Sequence, residues 1–168
     1  MTVLDPYRDL FAYTEWADAL LLAELDQVAP ERLHESLGGS SFDSMFGTAA
    51  HVLQGEIYYF HLWTRRPQPT ERRPMELRTL PELRQRWTEQ RQLLDEFMAS
   101  VTPDQLDEVV HYKTRDGAEH DLAVGRIMLN MVNHGTHHRA ELCDLLSRAG
   151  SPPPATDFIV FTQVRARA

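Results

Sequence analysis

Apolar residues recur at spacings of three and four along most of this chain. In "DPYRDLFAYTEWADALLLAELDQV" they are Leu10, Tyr13, Trp16, Ala17, Leu20, Leu21 and Leu25, one face of a helix that ends near Pro30. After the loop "HESLGGSS", Ser41 or Asp43 is placed to cap a second helix through "SMFGTAAHVLQGEIYYFHLW", which stops before Pro67. The connection "TRRPQPTERRPMELRTLP" holds four of the ten prolines and no stripe, and reads as loop. Pro81 then opens a third helix with Leu83, Trp87, Leu94, Phe97 and Met98 inward.

In "LDEVVHYKTRDGAEHDL" the period changes, and β-branched and aromatic residues flank Asp116-Gly117, predicting a short β-hairpin. A fourth helix starts near Asp121 or Leu122 and ends at Gly150, before "SPPP". The closing "DFIVFTQV" is short and apolar, a tail packed on the rest. Four such helices can bury their stripes only against one another. The expected fold is all-α, a four-helix bundle with a short β-hairpin before the last helix, over residues 1–168 as a single domain.

Composition narrows the chemistry. Cys143 is the lone cysteine, so any metal must sit on histidines or carboxylates. Asp5, Arg8, Glu15 and Asp18 interrupt the first twenty residues, which predicts neither signal peptide nor membrane span and a cytoplasmic, soluble protein with no membrane partner. The formal charge of -8 argues against nucleic acid. Eight of the seventeen basic residues nevertheless fall between Arg65 and Arg91, either a solvated connection and helix face or an anion-attracting rim beside a site.

The last long helix carries the chemistry. In "LNMVNHGTHHRAELCDLL", His134 and His138 lie four apart on one face, together with Ile127, Met131, Glu141, Leu142 and Leu145. Two imidazoles on a largely apolar stripe need partners, since a buried polar group without one costs about 1 to 3 kcal/mol. A divalent cation is one solution, with His51 of the second helix as a third ligand. His51 shares its face with Thr48, Gly55, Tyr58 and Leu62; Gly55 would leave open space beside the ion, and Tyr58 is the aromatic best placed to reach a pocket. The other solution is a core histidine hydrogen-bonded to a neighbour such as Asn133 or Glu141. His34, His61, His111 and His120 read as surface or rim residues, Cys143 as a small buried side chain, and Trp16, Tyr58, Tyr59 and Trp87 as core aromatics, Tyr58 being the one among them that could reach a pocket.

The stretch "VNHGTHHRAEL" resembles the signature of the DinB/YfiT-like family of metal-dependent proteins. "LFAYTEWADALLL", "FGTAAHVLQGEIYYFHLW" and "PPPATDFIVF" are similar to that family's first helix, second helix and closing segment, so the resemblance covers nearly the whole chain. It implies a bundle with a hairpin before the last helix, frequently a homodimer, and a nickel or zinc ion on three histidines, here His51, His134 and His138. His137 matches a position that is often histidine without being a ligand. Relatives usually read Gly-Gln where this chain has Ala140-Glu141, which makes Glu141 either an orienting partner of a ligand or a fourth ligand. Characterised relatives include transferases and isomerases that use low-molecular-weight thiols, implying a metal-dependent thiol S-transferase, or a related isomerase or detoxifying enzyme, acting on a small molecule. A metal-dependent hydrolase with Glu141 as general base and a non-catalytic metal-binding stress-response module are the alternatives.

Overall fold

The computed structural model describes residues 2–38, 41–114 and 116–167. Its elements in chain order are α1 (Asp5–Leu25), α2 (Met45–Trp63), α3 (Leu80–Ser100), the short α4 (Pro103–Asp107), β1 (Val109–Lys113), β2 (Glu119–Ala123), α5 (Val124–Arg148) and a short α6 (Phe158–Arg165). The four long helices are the four whose stripes the sequence shows. The fold is all-α with one antiparallel hairpin ahead of the last long helix.

Local chemistry sets the ends. Ser44, rather than Ser41 or Asp43, caps α2, its side chain accepting from the Gly47 amide at 3.1 Å. Asp43 cannot serve because its backbone is left-handed (φ 55), a conformation Asp tolerates better than most residues. Thr79 and Glu82 form a reciprocal capping box at the start of α3, with Pro81 in its first turn. The connection before it is loop, apart from one 3-10 turn at Pro74–Glu76. At the end of α5, Ser151 N donates to Leu146 O at 2.9 Å and Gly150 N to Ser147 O at 3.0 Å. This Schellman closure needs the left-handed backbone of Gly150 (φ 80).

The start of α5 differs from expectation. Asp121 and Leu122 belong to β2, paired with His111 and Val110 in the register Val109↔Ala123 to Lys113↔Glu119. Cross-strand partners hold them extended: His111 Nδ1 lies 2.8 Å from Asp121, and Lys113 2.9 Å from Glu119. The helix begins at Val124 once those pairs run out.

Two apolar clusters fill the interior. One gathers Leu21, Leu25, Leu53, Ile57, Leu83, Trp87, Leu142 and Leu145; the other gathers Phe11, Phe60, Trp63, Leu94, Leu106, Val110, Ile127, Met128 and Met131. On every long helix a buried polar residue lies close to the change from one cluster to the other: Asp18, Glu56, Gln90 and Arg139. Arg139 pairs with Asp18 at 3.0 Å, and Arg91 reaches Asp18 at 3.1 Å and Glu56 at 3.6 Å. A charged layer thus ties all four helices together at mid-bundle. The closing segment forms α6, whose Phe161 packs on Tyr13 and Trp16 of α1.

Among the described residues no helix is long and apolar enough to cross a membrane. The basic segment is largely neutralised by partners: Arg65 on Glu108, Arg72 and Arg86 on Glu89, Arg73 on Glu76, Arg84 on Asp26 and Arg91 on Asp18. These pairs do the work of a connection and helix face, and they leave little free charge for an anion-attracting rim.

Candidate metal centre

Helices α2 and α5 make the most extensive helix pairing in the chain, and their shared seam carries the histidines. His51 projects from α2; His134 and His138 project from α5, one turn apart. Their rings converge, with centroids 4.4 Å apart for His51 and His138, 4.5 Å for His134 and His138, and 5.0 Å for His51 and His134. One ring nitrogen from each falls within 4.8 Å of the other two.

Gly55 makes this convergence possible, though not by leaving a void. A Cβ at that position would meet His134 Nδ1 at 2.6 Å, so the imidazole itself occupies the room a side chain would take. The expectation of open space beside Gly55 is corrected accordingly. Burial, together with the charge of His138, pushes the pKa of His51 down to about 4. The same causes, with His51 and His137 adding to them, push His134 to about 4. Both rings are neutral near pH 7, the form in which imidazole offers a lone pair to a cation.

His138 is buried and receives a different partner. Its Nδ1 lies 2.8 Å from Glu141 Oε2, while Glu141 Oε1 accepts from the Ser41 hydroxyl at 2.9 Å. Both carboxylate oxygens are therefore engaged. Partial burial opposes ionisation, but the hydrogen bonds from His138 and Ser41 prevail and hold the Glu141 carboxyl below its usual range. This tether leaves Nε2 as the free nitrogen of His138. His137, His138 and Glu141 also approach one another closely, but that grouping is the same hydrogen bond seen with an exposed His137 beside it.

A cavity of about 610 Å³ opens on His51 and His134, lined also by Phe42, Gln54, Gly55, Tyr58, Tyr59, Arg73, Met75, Glu76 and Thr114. Tyr58 is among the residues that line it. Tyr59, read as a core aromatic, lies there too and meets the His134 ring edge-on at 5.6 Å. Phe42 and Ser41 escape sequence reasoning, because the loop before α2 shows no period and only the turn at Asp43 lays Phe42 on His51, 4.0 Å between centroids. Cys143 is half-buried on another face, with its thiol pushed up by burial. His34, His61, His111 and His120 stand apart from the cluster, on Arg78 O, Pro67 O, Asp121 and Tyr112.

The residues present fit a divalent transition metal. The donors are borderline-soft nitrogens, three in number, from two rigid helices, and the glycine cradle would collide with one of them if it carried a side chain. None of the curated proteins matches this chain. The model of the DinB family matches residues 2–167, nearly the full length. With the hairpin-interrupted helical fold and the histidine cluster in place, the chain belongs to the DinB family.

Proposed function

We propose that His51, His134 and His138 hold one divalent transition metal, nickel or zinc, and that the protein is a metal-dependent S-transferase, or a related isomerase or detoxifying enzyme, joining a low-molecular-weight thiol to a small electrophile. The observation that carries this reading is the convergence of three imidazoles, two of which, His51 and His134, line a cavity large enough for an organic molecule. A divalent cation so placed supplies the positive charge that lowers the pKa of a thiol or water beside it.

The chain's own groups prepare the site. Glu141 orients His138, Phe42 covers one face of His51 and excludes water from it, and Gly55 lets His134 reach in. In the transfer, the thiol gives its proton to solvent, its sulfur forms the new S–C bond, and the leaving group departs with the bonding pair. Hydrolysis would need a free general base next to the histidines. Glu141 has both oxygens taken and Glu76 is paired with Arg73, which favours the thiol. The adjoining cavity favours catalysis over a purely metal-binding module. We also take the active form to be a homodimer, on the family resemblance and the preference of soluble proteins for two-fold assemblies.

The test is thiol consumption by metal-loaded protein, using cysteine, glutathione, mycothiol and bacillithiol against a panel of electrophiles. Loss of at least one thiol, abolished by His138→Ala, is expected. No consumption above that of the metal-free protein with any thiol would overturn the reading. Light scattering at twice the 19.4 kDa chain mass checks the dimer.

A further inference from the structure

The cavity beside the histidines is larger than an ion and its waters need. Its volume of about 610 Å³ lies within the range of pockets that enclose small organic molecules. The wall is a succession of rings. Phe42 stacks on His51, His134 follows at 5.0 Å from His51, Tyr59 presents an edge to His134 at 5.6 Å, and Tyr58 meets Tyr59 at 5.2 Å and 76°. Met75 adds a polarizable thioether, a group that attracts ring edges. Met75 and Tyr58 are 38% and 37% exposed, among the few large apolar side chains that are. Grouped around one cavity, such side chains mark a ligand surface, whereas scattered ones do not.

Charge selects the kind of molecule. Among the described lining residues, Arg73 and Glu76 alone carry full charges, and they are paired with each other. Gln54 and Thr114 are neutral. An anionic group in the outer cavity would have to compete with Glu76 for Arg73. A cationic one would have to compete with Arg73 for Glu76. A neutral ring meets neither cost and gains edge and face contacts, each aromatic pair being worth more than the area it buries.

We propose that this cavity binds a neutral aromatic molecule, its ring among Phe42, Tyr58, Tyr59 and Met75 and one edge toward His51 and His134. Resting on the transferase reading, this makes the electrophile an uncharged compound that carries an aromatic ring. The pocket itself belongs to the apo chain, so its binding is measured without metal or thiol.

Calorimetric titration of the metal-free full chain with 1-naphthol, 1-naphthoate, 1-naphthylmethylammonium and the saturated decahydro-1-naphthol separates the classes. Naphthol is expected to bind at least about 3-fold more tightly than each of the others, and Tyr58→Ala and Met75→Ala are expected to weaken it about 3- to 10-fold. Circular dichroism and metal uptake of these two variants should match the parent. Equal affinity for the four probes, no binding of naphthol, or binding indifferent to both substitutions would overturn the proposal. Failure of thiol consumption alongside selective naphthol binding would sink the transferase reading and leave this one standing. Thiol transfer to non-aromatic electrophiles without naphthol binding would do the reverse.

Discussion

Glu141 lies three residues after His138 on α5, and the geometry gives it a defined task. It holds His138 by Nδ1 and is itself held by Ser41, so the ring cannot rotate freely. Partners of this kind typically change metal affinity or activity by about 10- to 100-fold when removed. Glu141→Gln is expected to weaken metal binding within that range with an unchanged fold, and Ser41→Ala to have a smaller effect in the same direction. Competition titration with a chelator measures both. The three histidines themselves answer to elemental analysis: about one divalent metal per chain in the parent, most of it lost in His51→Ala, His134→Ala or His138→Ala, and most of it kept in His137→Ala, whose ring is exposed. Equal metal in all four variants would remove the assignment. Legibility at this scale was uneven. Spacing four on α5 brought out His134 and His138, whereas Phe42 and Ser41 lie in a loop where no periodicity operates.

Elements were legible where one physical signal dominated. The stripes of α1, α2, α3 and α5 are such cases, as is the turn at Asp116-Gly117. The junction of β2 and α5 was less so, because Asp121 and Leu122 are compatible with a helix start and only their partners His111 and Val110 across the ladder decide for strand. That ladder carries a pH prediction. The hydrogen bond and charge of Asp121 raise the His111 pKa above 6.5. A raised value means the protonated ring favours the paired strand: the stabilisation is full below about pH 6.5 and is lost as pH rises through the folded value. NMR titration is expected to show His111 titrating higher in the parent than in Asp121→Asn. Identical titration curves would mean that the cross-strand pair does not form in solution.

Across the whole molecule the charged mid-layer decides how the helices register. Asp18 faces both Arg139 and Arg91, and each of these residues comes from a different helix. Breaking a buried pair by removing one partner costs about 3–5 kcal/mol, since the remaining charge stays buried. Asp18→Ala is expected to lose that much in urea unfolding, more than an average surface substitution could. Glu56 contributes with the opposite pH dependence to an ordinary paired carboxylate. Burial pushes its carboxyl up to about 8, against the pull of Arg91 and with the push of Asp18. The native state therefore holds a proton that the unfolded chain releases near pH 4.5, so this group's contribution is full below about 4.5 and declines as pH rises toward 8. Parent stability relative to Glu56→Gln should fall across that window in denaturant titrations at several pH values. A difference independent of pH would show Glu56 ionised in the fold.

The sequence by itself determined the four long helices and the hairpin, because periodicity and turn residues act over a few positions and need no partner. It also offered the three histidines as candidates, His134 and His138 through helical spacing on α5 and His51 from the second helix. Tertiary structure decided what those side chains meet. Only the folded packing sets His134 of α5 into the room at Gly55 of α2, joins Glu141 to both His138 and Ser41, lays Phe42 over His51, and pairs half of the basic segment with acids distant in the chain. Such pairings depend on which surfaces are pressed together and on the charge and volume already there, and these are properties of the folded interior that no local pattern encodes.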